Sequence, residues 1–153
     1  MISHELKKLR PESSIRLLGS GNIPLPKKVL NDKNIIINNI KYSSKELESN
    51  IARSCAIICP YHSATQSGVI VEAFSFGRPV VAYDVGCIHE YVSNKTGALV
   101  EYGNIKDFVA KMIYFSDNFE KYSESVSNEF KKLYSHISVS NNLEKIVTFL
   151  DSK

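Results

Sequence analysis

Short apolar runs alternate with amphipathic stretches along the first two thirds of the chain. The runs at 15–18, 35–37, 56–59, 80–83 and 98–100 are rich in β-branched and apolar residues, and Gly19, Asn38, Pro60 and Asp84 punctuate four of them. Such uninterrupted runs suit strands of a parallel sheet covered on both faces. The intervening segments predict helices near 2–9, 44–54, 67–76, 87–93 and 105–116, with a weaker one around 25–31. After Gly103 the strand signals stop. Asn104 is a suitable N-cap for a helix in which Phe108, Met112 and Phe115 recur at helical spacing. Two further amphipathic helices are expected, at 119–134 and 143–150. The predicted fold class is α/β, a Rossmann-like parallel sheet flanked by helices, with additional C-terminal helices.

The length of 153 residues allows one domain and one core. No repeat or linker divides it, so 1–153 reads as a single domain. Hydrophobic residues make up 43% and charged residues 23%, as in an ordinary globular protein. No segment approaches the roughly 20 apolar residues of a membrane span, and the opening residues lack the apolar core of a signal peptide. The expected location is the cytoplasm, with the inner membrane surface as a peripheral alternative. Cys55, Cys59 and Cys87 lack paired C-x-x-C spacing and sit in apolar surroundings, so buried, reduced thiols are expected, and no metal site.

Charge is unevenly placed. Residues 1–33 hold seven Lys or Arg against three acids, whereas the remainder is nearly balanced. That bias could attract phosphates. Basic residues are not interleaved with aromatics as single-stranded nucleic acid requires, so nucleic acid is not an expected partner.

The chemistry concentrates in residues 59–86. A strand ends at Pro60, a polar loop follows, a helix runs from near Ser67 to Gly77, and a second strand ends at Asp84. Ligands of open parallel sheets bind beyond the carboxyl ends of the strands, where the loops 60–67 and 84–87 fall. The amide groups at Ser67 and Gly68 and the positive end of the helix dipole suit a diphosphate, and glycine lets the backbone approach it. The competing reading makes Ser67 an N-cap and Gly68 a packing residue. Glu72 interrupts Val69–Val71 and Ala73–Phe74, and two vicinal ribose hydroxyls would satisfy its carboxylate; the alternative is a solvated glutamate. Gly86 either admits a phosphate or sugar or simply forms a turn, and Glu90 either caps that loop or is solvated. Gly19-Ser20-Gly21 follows a strand as a phosphate loop would, but Pro24 stands where a third glycine belongs, so a turn near the cleft is the better reading. His62, in the same loop as Pro60, either touches a bound ligand or is a solvated loop histidine, the commoner case.

Pro60, Tyr61, Gly68, Glu72, Ala73, Gly77, Pro79, Val80, Val81, Ala82, Asp84, Val85, Gly86, Glu90, Val92, Gly97, Leu99 and Val100 together resemble the C-terminal, donor-binding domain of retaining glycosyltransferases with the GT-B fold, the "group 1" family. The likeness spans about residues 2–115. It implies a nucleotide-diphosphate sugar as donor substrate, with no metal or other cofactor. Glu72 matches the ribose-binding member of the family's paired glutamates. Ser67, Gly68 and Val69 match the segment around the diphosphate and sugar, Gly19 the earlier strand-turn, and Asn39-Ile40 the loop beside the nucleobase. The expected donor-binding set is therefore Ser67, Gly68, Val69, Glu72, Gly86, Gly19 and Ile40, with no catalytic residue assigned. Arg16, Lys27 and Lys28 are candidates for the family's basic pair.

Two departures from the family matter. Ala64 stands where the first glutamate usually contacts the transferred sugar, although some members carry Ala-Thr-Gln-Ser-Gly-Val there. The domain's usual first strand and the N-terminal acceptor domain have no counterpart in the sequence. A partner polypeptide supplying the acceptor domain is expected, or else strands that re-pair across the gap. A sugar transfer to a glycan or lipid-linked acceptor is the leading reading. A truncated, non-catalytic nucleotide-sugar-binding module is the second. A nucleotide-sugar epimerase, the third, would need acid–base residues that have no obvious set here.

Overall fold

The computed structural model describes residues 1–21 and 25–134; the helix expected at 143–150 and the turn at Pro24 lie outside the described residues. Helices and parallel strands alternate: α1 (Ile2–Leu9), β1 (Ile15–Gly19), α2 (Lys27–Leu30), β2 (Ile35–Asn39), α3 (Ser44–Ala52), β3 (Ile57–Cys59), α4 (Gly68–Ser75), β4 (Val80–Tyr83), β5 (Gly97–Val100), α5 (Ile105–Asp117) and α6 (Phe119–Tyr134). Local chemistry sets many of the boundaries. Ser43 and Glu46 form a reciprocal capping box at the start of α3. Asn104 accepts the Asp107 N–H at 3.2 Å to open α5. Gly77, in the left-handed region at φ +64°, ends α4, and Pro79 follows.

The strands form two sheets. β1 pairs with β2, and β3–β4–β5 form a separate three-stranded sheet, every pairing being parallel. β4, with a neighbour on each side, is buried along its whole length. Its alternating side chains feed two cores. Val80 and Ala82 pack with Ile70, Phe74 and Val126 beneath α4 and α6. Val81 and Tyr83 pack with Val100, Phe108 and Phe115 beneath α5.

Three expectations change. Re-pairing across the gap does not occur, since β1 and β3 share no ladder. The helix expected at 87–93 is one 3-10 turn, Ile88–Glu90. Ile88 and Val92 are buried, but the segment is held at both ends. The Cys87 N–H donates to the Ala64 carbonyl, and the Ser93 N–H to Thr96 Oγ1 at 2.9 Å. Among the cysteines only Cys59 is buried; Cys55 is exposed and Cys87 intermediate, because Cys55 precedes β3 rather than lying in it.

Candidate functional site

Beyond the carboxyl end of β3, the loop 60–67 folds against the loop after β4. The Cys87 N–H donates to the Ala64 carbonyl oxygen at 3.1 Å. A Cβ on Gly86 would stand 2.0 Å from that same oxygen, and Gly86 has φ +55°. Glycine at 86 is therefore demanded by backbone contact inside the fold. Gly68 is the opposite case: it is exposed, and a Cβ there would meet nothing within 4 Å.

Ser67 is the N-cap of α4, accepting the Ile70 N–H at 3.4 Å, and its hydroxyl lies 3.1 Å from that of Tyr61. With the residue only 9% exposed, this hydroxyl is occupied within the protein. Burial pushes the Tyr61 phenol above its ordinary range, so it stays protonated and able to donate. What α4 can present to a ligand is the pair of backbone N–H groups at Gly68 and Val69, in the first turn where no intrahelical acceptor exists. Val69 is 42% exposed beside them.

Ile70, Ala73 and Phe74 turn into the core, which leaves Gly68, Val69 and Glu72 on the other face at i, i+1 and i+4. Helical side chains lean toward the amino end, so the Glu72 carboxylate is directed along the face that carries Gly68. It is half-buried and makes no hydrogen bond or ion pair with another described residue. A carboxylate one turn from free N–H groups is an arrangement that can accept hydrogen bonds from hydroxyls while the helix end holds an anion.

Gly19 and Ile40 belong to the other sheet. Gly19 ends β1 opposite Asn39, and the Gly21 N–H donates to Asn39 Oδ1 at 3.1 Å. Ile40 follows β2 and is 56% exposed, an apolar surface of the kind a planar base can cover. Arg16 sits early in β1 and donates to Asn50 Oδ1 at 2.5 Å, which commits it to α3 rather than to a loop at the strand ends. Lys27 opens α2 and is exposed, with Lys28 next to it in sequence. Glu90 is exposed and caps no loop.

His62 is anchored in a way its sequence neighbours do not reveal. Its Nδ1 is hydrogen-bonded to the Tyr102 hydroxyl. Tyr102 in turn packs edge-on against Tyr83 at 5.3 Å, and Tyr83 lies 4.7 Å from Phe108. An aromatic row thus ties the 60–67 loop to the segment after β5. Among the described residues, no group of three or more His, Cys, Asp or Glu could hold a metal ion, and no helix is long and apolar enough to cross a membrane.

Residues 1–118 match the family described as "Glycosyl transferases group 1". The chain belongs to this family. Its fold is that of GT-B glycosyltransferases: TarM superposes with a TM-score of 0.76 at 20% identity, over 96% of this chain and 30% of that one. Anabaena HepE in complex with UDP gives 0.69 at 18% identity, over 99% and 44%. HepE in complex with UDP-glucose gives 0.68 at 17%, with the same coverage. The chain therefore spans less than half the length of these neighbours. No curated protein matches it.

Proposed function

We propose that the chain is the donor-binding half of a glycosyltransferase, holding a nucleotide-diphosphate sugar for transfer to a glycan or lipid-linked acceptor in polysaccharide biosynthesis. The observation that carries the reading is the amino end of α4. Gly68 and Val69 are exposed in its first turn, where their N–H groups have no intrahelical acceptor, and Glu72 stands one turn along the same face. In this assignment the helix end holds the diphosphate, Glu72 accepts both ribose hydroxyls, and Ile40 and Gly19 border the base. The UDP and UDP-glucose complexes of HepE support a uridine nucleotide as the first donor to try.

The chemical role follows from charge. As the bond to the anomeric carbon breaks, negative charge grows on the departing diphosphate. Backbone dipoles already aimed at that position stabilise it without reorganising. The acceptor-binding domain, carried by a partner polypeptide, would complete the enzyme in the cytoplasm or at the inner membrane surface.

The test is a calorimetric titration of the chain with UDP, GDP and ADP, repeated with Glu72→Ala. Charge-assisted hydrogen bonds are worth about 1.5–3 kcal/mol, so the variant should bind roughly 10- to 150-fold more weakly. Equal affinity for both proteins would remove Glu72 from the site. The second reading, a non-catalytic nucleotide-sugar-binding module, is favoured by Ala64, whose carbonyl is engaged with the 84–87 loop and whose methyl offers no polar contact to a sugar. It predicts UDP binding with no gain in affinity for UDP-glucose over UDP.

A further inference from the structure

The loop that leads into α4 crosses the end of β4. That strand lies between β3 and β5, yet His62, just after β3, is hydrogen-bonded to Tyr102, just after β5. Tyr83 closes β4 beneath this bridge, edge-on to Tyr102. Two more bonds hold the loop: the Tyr61 hydroxyl to that of Ser67, and the Ala64 carbonyl to the Cys87 N–H. Ser63, Thr65 and Gln66 are exposed as well, but their side chains make no hydrogen bond with another described residue. Of the exposed polar side chains in this loop, His62 is the one that is fixed in place.

The bond also selects the ring nitrogen left for a ligand. A tyrosine hydroxyl that donates to Nδ1 of a neutral imidazole leaves the ring proton on Nε2. Nε2 has no partner among the described residues, and His62 is exposed. Its N–H is therefore a donor facing water, on a ring that cannot turn without breaking the bond to Tyr102. A side chain ordered beforehand loses less freedom on binding than its mobile neighbours would.

The course of the nucleotide brings a ligand to this donor. With the base on Ile40, after β2, and the diphosphate at the α4 end, after β3, the group beyond the diphosphate continues over the 60–67 loop toward the ends of β4 and β5. Ala64 offers that group no polar side chain, and His62 stands two residues before it. We propose that His62 reads the glycosyl group of the donor, its Nε2–H donating to a pyranose hydroxyl, with Tyr102 as the positioning residue that holds the imidazole in that tautomer. The inference rests on the donor-site reading and adds to it the residue that distinguishes a sugar nucleotide from the bare nucleotide.

The experiment is calorimetric titration of the full chain with UDP and with UDP-glucose, for the parent and for His62→Ala, His62→Gln and Tyr102→Phe. Losing one hydrogen bond between neutral groups should weaken UDP-glucose roughly 2- to 12-fold in His62→Ala, while UDP binds as it does to the parent. Glutamine, whose amide can place a donor near the Nε2 position, should restore part of the loss. Tyr102→Phe keeps the aromatic row but frees the ring, so it should weaken UDP-glucose and not UDP. Nitrogen NMR of the imidazole, at about pH 8 where an ordinary histidine is neutral, gives a readout that a purely structural role would not move. His62 should be the Nε2–H tautomer, and its Nε2 signal should shift with UDP-glucose and not with UDP. An Nδ1–H tautomer, an Nε2 signal indifferent to UDP-glucose, or equal UDP-glucose affinity in the parent and His62→Ala would overturn the proposal. So would an equal loss of both ligands in His62→Ala, which would make the histidine a brace for the loop. A parent that binds UDP but shows any of these results loses only the sugar assignment; a parent that does not bind UDP loses the donor-site reading and this proposal with it.

Discussion

Two glycines beside the candidate site should respond in opposite ways to the same methyl group. Gly86 has φ +55°, and its Cβ would lie 2.0 Å from the Ala64 oxygen and 3.0 Å from the Ala64 carbonyl carbon. The left-handed conformation costs an alanine roughly 1–2 kcal/mol. Relieving the contact means separating the two loops and losing the Cys87–Ala64 hydrogen bond, about 0.5–1.5 kcal/mol more. Gly86→Ala should therefore destabilise the chain by about 2–3 kcal/mol. For a chain of this size that lowers the unfolding midpoint by roughly 5–10 °C.

At Gly68 a Cβ meets nothing within 4 Å, and alanine restricts the unfolded chain, so Gly68→Ala should stabilise by roughly 0.4–1 kcal/mol. Its methyl, however, stands beside the amides assigned to the diphosphate. UDP affinity should fall at least tenfold, about 1.4 kcal/mol, in a protein that melts no lower than the parent. Differential scanning calorimetry and UDP titration on both variants separate the effects. A Gly68→Ala protein that binds UDP normally would refute the approach of an anion to α4. A Gly86→Ala protein with the parent's midpoint would refute the loop contact.

Phe108 is wholly buried between β4, β5 and α5, so Phe108→Ala should cost about 3–5 kcal/mol in urea unfolding; a loss below 1 kcal/mol would mean that this core is not packed as described. The cysteines should separate in alkylation. Burial pushes the Cys59 thiol up to about 11, whereas Cys55 is exposed, so iodoacetamide at pH 8 should label Cys55 first and Cys59 only on unfolding. The same shift gives a pH dependence. The thiol ionises more easily in the unfolded chain, at its ordinary value of 9.0, so its contribution is complete below pH 9. It is lost progressively up to pH 11, by roughly 2–3 kcal/mol in total, and a Cys59→Ala variant should lack that fall.

What could be read along the chain was what the chain decides locally. The strand at 80–83 and the helix from Ile105 declare themselves by period. Ser67 and Asn104 cap helices by bonding three residues ahead, a spacing visible in any sequence. Gly68 and Glu72 fall on one helix face for the same reason. Contacts between distant residues left no such trace. His62 and Tyr102 are 40 residues apart, and nothing near either one marks the other. Gly86 looked like a place for a ligand because a glycine's reason for being small cannot be told from its neighbours; its reason is Ala64. β1 and β3 by themselves read as interior strands, since apolar runs report how much burial a strand needs and not which strand provides it.

The division of the sheet also divides the site. Gly19 and Ile40 ride on β1 and β2, while Ser67, Gly68, Glu72 and Gly86 ride on the sheet of β3, β4 and β5. The two sheets are bridged through α3, by the Arg16 bond to Asn50 and by the Arg78 guanidinium, which donates to the carbonyls of Ile51 and Ala52. Such bonds contribute about 1–3 kcal/mol each, and neither fixes strand against strand as a continuous ladder would. A nucleotide that places its base on Ile40 and its ribose on Glu72 must span that division. A nucleotide that bridges the division therefore orders one sheet against the other, and whatever orders the two sheets favours the nucleotide by the same free energy.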